Sequence, residues 1–367
     1  MTSYSVAESS PRWASAPGAT IAKLLRAHHL STDDLAEALN VSDPYARRLI
    51  SGEAPITEEL AQAISALLGS TPDFWRSREE QYRDSVAWLE VDDLVQRSPV
   101  DQMLQRGWIE ETSSWQDQAK ALLAYYDVPS AEAWTTRWGQ RLSESHFRTS
   151  PSFESNDLSL AAWVRQAEIQ AYHQTLGGWS PAALRSAIPE LRGLTKISNP
   201  QKFLPIASTV LARAGVALVV IPSTPSNRLS GAALKLSSRA RVIALTARHL
   251  SDDHLWFTLF HEIGHLLLHD AEEEFLDVLD AEESGESEIE VEANHFARDA
   301  LLPNGVSALE QTRSTGPTMR EVVAFAHAEG VSPGIVVGRL QYDKIVRYNQ
   351  LRRLIRKYSW DGSSLKI

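Results

Sequence analysis

His261 and His265 stand four residues apart in the segment LWFTLFHEIGHLLLH (residues 255–269), with Glu262 beside the first of them. Four residues is one turn of α-helix, so the two imidazoles share a face about 6 Å apart and can bind one metal ion. Glu262 falls on the flank of that face, where a carboxylate can take a proton from a metal-bound water. The rest of the segment is apolar. Two histidines and a glutamate buried there without partners would be costly, and a metal site removes that cost. The alternative is a pair of satisfied core histidines.

The chain contains no cysteine, which excludes disulfides, thiolate metal sites and cysteine nucleophiles together. Any metal must therefore be held by His, Asp or Glu. A catalytic zinc takes three protein ligands and keeps a fourth position open. His269 continues the series, but three residues on one straight helix cannot surround an ion. A second helix, IEVEANHFARDALLP (residues 289–303), is the better source. Glu290 and Asn294 lie on one face of it, and Glu290 would complete a His2Glu site. Glu292 projects about 200° away from Glu290 at the helical period, and His295 is a further candidate. No residue of the sequence can be singled out to stabilise a developing oxyanion; Arg248 is a candidate by position, but it reads better as a surface or N-terminal structural residue.

The elements that would position these residues follow from periodicity. Residues 216–221 (VALVVI), 231–236 (GAALKL) and 241–246 (RVIALT) read as three strands of a small sheet. A helix spans about 253–269 and another about 287–302, stopped by Pro303. Residues 319–357 read as helical again. From residue 70 to about 214 the period is mostly helical, with Trp108, Trp115, Trp134, Trp138, Trp163 and Trp179 read as packing residues.

This C-terminal half resembles the ImmA/IrrE family of zinc metallo-endopeptidases. GAALKL, RVIALT, WFTLFHEIGHLLLH and EVEANHFARDALLP match it in order and spacing over about residues 216–303. The resemblance implies one zinc per chain on His261, His265 and Glu290, with Glu262 as general base. It places His269 outside the ligand set, behind the ligands with Asn294. It implies a protein substrate, often a helix-turn-helix repressor cleaved in a stress or regulatory response.

Residues 30–51 (LSTDDLAEALNVSDPYARRLIS) read as helix, tight turn, helix. They resemble the XRE/Cro family in the variant seen in HigA-type antitoxins. The second helix would be the recognition helix, offering Asp43, Tyr45, Arg47 and Arg48 to the major groove. Charge argues the other way. Residues 17–83 hold seven basic and ten acidic side chains, whereas phosphate contacts by Lys and Arg usually carry much of the affinity. The module serves DNA binding, dimerisation or partner docking.

The formal charge of −11 comes from one place. Residues 270–292 hold twelve acidic side chains and no basic one, leaving 36 basic against 35 acidic elsewhere. That stretch joins the two metal-bearing helices and reads as a solvated rim beside the metal. Residues 339–366 are basic, with eight basic side chains and two acidic, and suit a phosphate surface, an intramolecular partner for the acidic stretch or a solvated face.

The expected fold is α+β and predominantly α. A flexible tail (1–16) precedes a helix-turn-helix domain (17–84), a helical linker, sensor or docking region (85–214), a zincin-like core with its sheet packed on the HExxH helix (215–310, acidic insert 270–292) and a basic helical segment (311–367). No apolar run approaches the ~20 residues of a membrane helix, and the N-terminus lacks the pattern of a secretory signal. A cytoplasmic zinc endopeptidase fused to a helix-turn-helix module is expected, its partners a protein substrate and, through that module, DNA, with a homodimer left open. The alternative is a DNA-binding transcriptional regulator or antitoxin-like protein whose zincin domain acts as a sensor or interaction module.

Overall fold

A computed structural model describes residues 14–144, 154–224, 229–269, 275–278, 288–310 and 316–367. The chain forms two compact units, Met1–Val100 with Ile109–Trp134, and Asp101–Trp108 with Thr135–Ile367.

In the first unit, α1 (Pro17–Ala27), α2 (Thr32–Ala38), α3 (Asp43–Ser51) and α4 (Glu58–Leu68) are followed by α5 (Pro72–Arg97), which runs unbroken past Asp84. A capping box at α2, in which Ser31 and Asp34 exchange hydrogen bonds, fixes the start of the helix-turn-helix. α3 stops at Gly52, whose φ of +82° suits a residue without a Cβ. α1 and α3 cross at Gly18, where a Cβ would lie 2.1 Å from the Ile50 carbonyl oxygen. Ile21, Leu35, Leu49, Ala61, Ile64 and Trp75 fill the core. α6 (Val100–Gln105) comes next in the chain, and α7 (Trp115–Tyr126) and α8 (Ala131–Trp134) complete this unit's helices.

In the second unit, α9 (Gln140–Glu144), α10 (Glu154–Tyr172), α11 (Pro181–Leu194) and α12 (Pro200–Arg213) lead into the sheet. Its strands are β1 (Val216–Val220), β2 (Leu229–Ser237) and β3 (Ala240–Leu245), which the sequence foretells, and a fourth, β4 (Phe275–Val278). The order is β1-β3-β2-β4, with β1 and β3 parallel and the other neighbours antiparallel. β3 is buried at every position, which explains why it reads as a continuous apolar run.

β4 corrects the reading of residues 270–292 as a wholly solvated stretch. Four residues, FLDV, pair with β2, and Phe275 is buried. The surrounding acids mask a strand this short. Residues 270–274 and 279–287, most of the expected rim, lie outside the described residues.

α13 (Asp252–Leu268) packs on β2 and β3, on α14 (Glu288–Leu301) and, past α15 (Ser307–Glu310) and α16 (Met319–Glu329), on α17 (Pro333–Tyr342). Fourteen of its seventeen residues are buried, so it is apolar almost all round. The helical reading of residues 319–357 holds only to Tyr342. Beyond it come left-handed Lys344 and Leu351, and then a hairpin of β5 (Ser359–Asp361) and β6 (Ser364–Lys366). Gly362-Ser363 is the two-residue turn that closes the hairpin, with the positive φ of +59° at Gly362 that such a turn needs.

The basic C-terminal side chains also have local partners. Arg356 donates to the carbonyls of Thr195 and Lys196, Arg339 pairs with Asp343 and Lys366 with Asp361. Trp138 and Trp163 are fully buried, and the Trp163 indole donates to the Ile221 carbonyl at 3.3 Å. The fold is α+β and mostly helical, as expected. Among the described residues no helix is long and apolar enough to cross a membrane.

Candidate metal centre

α13 supplies both histidines from one face. His261 and His265 are 1% and 0% exposed, and their Nε2 atoms face each other at 2.9 Å. The third donor depends on how closely α14 approaches. Gly264 makes that approach possible, because a Cβ there would lie 3.1 Å from Phe296 Cδ1 and 3.3 Å from Ala293 Cα. One turn before Ala293, the Glu290 carboxylate reaches both imidazoles, Oε2 at 3.2 Å from His261 Nε2 and Oε1 at 3.5 Å from His265 Nε2. One donor atom from each residue lies within 4.8 Å of the other two.

The alternative donors are placed elsewhere. Glu292 is exposed, with an oxygen 3.7 Å from His269 Nδ1. His295 is exposed and outside the donor group. Asn294 Oδ1 accepts from His261 Nδ1 at 3.1 Å, which leaves the His261 Nε2 lone pair for a metal. His269 Nε2 donates to the Ile289 carbonyl at 3.1 Å and so ties the end of α13 to α14 just before Glu290. Two residues that the sequence reading overlooks shape the site. Phe275 of β4 stacks on the His265 ring, 4.6 Å between centroids and 11° from parallel. Gly231 of β2 lies against Glu262. Isolated glycines in a helix and in a strand, Gly264 and Gly231, were the signal available for such close approaches.

Glu262 is fully buried. A Cβ on Gly231 would fall 2.4 Å from its Oε1 and 2.7 Å from Thr258 Cγ2, so β2 fixes where that carboxylate can lie.

Electrostatics favour a neutral His265 beside a charged Glu290 carboxylate. Burial pushes the His265 pKa down to about 4; its contact with Glu290 opposes this and the neighbouring His261 adds to it. Burial works against ionising Glu290, but its contacts with His261 and His265 outweigh it and hold the carboxyl well below the usual carboxylate range. His265 Nδ1 is buried without a hydrogen-bond partner among the described residues. Two inward Nε2 atoms and one carboxylate form the N2O donor set of a catalytic zinc site, over a span that bonds of about 2 Å can bridge. The residues present fit a zinc ion.

At the other candidate site, Arg47 pairs with Asp43 at 2.9 Å and Arg48 with Glu53 at 3.7 Å, all on the exposed surface of α3 and its C-terminal turn. Tyr45 is half-buried against the helix-turn-helix core. Asp43, expected to oppose phosphate, thus lies against Arg47, whose hydrogen bond holds its pKa below the ordinary value.

Residues 214–341 match the family model described as IrrE N-terminal-like domain, of Peptidase M78, and residues 21–75 match a helix-turn-helix model. The chain is also similar to the uncharacterized HTH-type transcriptional regulator YddM of Escherichia coli (strain K12). Identity is 30% over 76 residues, which covers 21% of this chain and 81% of that protein.

Proposed function

For a chain that belongs to the IrrE-like Peptidase M78 family over 214–341 and carries a helix-turn-helix domain over 21–75, we propose the activity of a zinc-dependent endopeptidase acting on a regulatory protein. The observation that carries it is the convergence of His261, His265 and Glu290 within 4.8 Å, with buried Glu262 on the same helix. His261, His265 and Glu290 hold the zinc, and Asn294 and His269 orient the ligand helices. Zinc, when bound, supplies Lewis acidity that polarises the scissile carbonyl and eases deprotonation of a water. Glu262 accepts that proton on a carboxylate oxygen and returns it to the leaving amine. Its burial keeps bulk water from competing for the proton, and Gly231 leaves it room.

The helix-turn-helix module brings the protease to its substrate, a helix-turn-helix repressor held by like-with-like pairing or found on DNA. The test is incubation of the zinc-loaded chain with candidate repressors. A discrete fragment should form with the wild type and disappear with Glu262→Gln, at unchanged zinc content and circular dichroism. Cleavage that persists in Glu262→Gln sinks the mechanism.

The similarity to an HTH-type transcriptional regulator favours a second reading, a DNA-binding regulator whose zincin domain is a sensor. It requires salt-dependent DNA binding that is lost when Arg47 and Arg48 are both changed to Ala. Regulation that works unchanged in Glu262→Gln would select this reading over the first.

A further inference from the structure

The two ligand histidines are oriented in different ways. Asn294 Oδ1 accepts from His261 Nδ1 at 3.1 Å, the kind of bond that usually fixes a ligating imidazole in the plane its metal needs. His265 has no such bond. Its Nδ1 is buried without a hydrogen-bond partner among the described residues, and the whole side chain is sealed from solvent. A buried polar atom left in this way calls for an explanation. Without some other restraint, the His265 ring could turn about its Cβ–Cγ bond and carry Nε2 out of line.

What meets the ring instead is an aromatic face. The Phe275 and His265 rings are 4.6 Å apart between centroids and 11° from parallel, within the range of stacked pairs. The His261 ring meets His265 edge-on, at 4.6 Å and 80°, and the His269 ring stands at 5.3 Å and 51°. Turning the His265 ring would break the stack and drive a ring edge into the phenyl face. The plane in which Nε2 lies 3.5 Å from Glu290 Oε1 is thus the plane that Phe275 permits.

Phe275 belongs to neither ligand helix. It comes from β4 and pairs with Ala233 of β2, the strand whose Gly231 borders Glu262. β4 is four residues long and stands at the edge of the sheet. An element of that kind opens locally at little cost, and the buried Phe275 ring anchors it.

We infer that Phe275 is a positioning residue for the zinc site: its ring takes the place of the missing hydrogen bond and holds the His265 imidazole in its metal-binding plane. It acts through His265 and not on the reacting atoms. The inference rests on the zinc reading of the site. Coupling of this kind is reciprocal, so if docked β4 raises zinc affinity, zinc favours the docking of β4 by the same factor.

The experiment compares Phe275→Leu, which keeps an apolar side chain and removes the ring, with Phe275→Tyr, which keeps the ring. Zinc affinity of the full chain is measured by competition with a zinc-binding dye. Phe275→Leu should weaken it roughly 10-fold or more, the scale for losing a group that orients a ligand, while Phe275→Tyr should stay within about threefold of wild type. With cobalt in place of zinc, visible absorption reports the ligand geometry. Phe275→Leu should change that spectrum and Phe275→Tyr should keep it. A ring that only filled space would cost thermal stability and leave the spectrum as it is.

Wild-type affinity and spectrum in Phe275→Leu would overturn the inference, as would equal losses of affinity in the two variants. Should neither variant fold, hydrogen exchange in the wild type decides. Zinc should slow exchange of the amides between β2 and β4 more than of those between β1 and β3, and equal slowing would count against the coupling. If the wild type binds no zinc, the metal reading itself fails and takes the inference with it.

Discussion

Gly231 and Glu262 come from different elements and are closer than any other residue type would permit: a methyl on the Gly231 Cα would stand 2.4 Å from Glu262 Oε1. Strand β2 is thus the wall against which the base rests. Gly231→Ala should push the carboxylate from its place and lower the cleavage rate by about 100-fold, the scale of a 1 Å misplacement. Zinc content should stay at wild-type level, because the ligands sit on α13 and α14. Full activity in a folded Gly231→Ala chain would show that β2 does not position Glu262.

The third ligand can be identified by stability. Zinc bound to the folded chain should stabilise it by about 2.7 kcal/mol at a free concentration 100 times Kd. Glu290→Ala should remove that thermal shift. Glu292→Ala should keep it, since that carboxylate is exposed and pairs with His269. Equal loss in the two variants would contradict the assignment.

Asn294 offers a subtler check. Its side chain accepts from His261 Nδ1. Asn294→Ala should weaken zinc affinity by roughly 10–100-fold without removing a ligand. Competition with a zinc-binding dye would measure it, and wild-type affinity would mean that the hydrogen bond does not tune the site.

Acid should destabilise the metal-free chain in a defined window. His265 falls from its ordinary 6.5 to about 4 when folded, so between those values the unfolded chain binds more protons. Stability from this group is therefore present above pH 6.5 and is lost as pH falls toward 4, by at most about 3 kcal/mol. The groups facing it are His261, His269 and Glu290, with the Phe275 ring stacked on it. Urea unfolding at pH 7 and pH 4.5 should show the loss in the wild type and a smaller one in His265→Leu. Equal losses would place the titration elsewhere.

Much of the site was legible because its signals are local. Spacing of four put His261 and His265 on one face, and the apolar setting of α13 marked the pair as buried. The capping box at Ser31, the glycine stop at Gly52 and the β-branched strands were equally plain. The misreadings have local causes too. Acidic neighbours obscured Phe275–Val278, and a basic, apparently helical C-terminus obscured a hairpin whose Gly362-Ser363 turn was visible in the chain.

The sequence by itself determined the donor types, the helix faces that carry them and the pairing of a peptidase-like segment with a helix-turn-helix. Tertiary structure decided which acid lies beside both imidazoles, because Glu290, Glu292 and His295 differ only in where α14 meets α13. That crossing depends on the missing side chain at Gly264, on Ala293 and on the His269 bond to Ile289, contacts between residues 20 or more positions apart. It also decided that Phe275 stacks on His265 and that Glu262 rests on Gly231. Periodicity reports only the face a residue presents, whereas the neighbour it meets there is set by packing across the whole core.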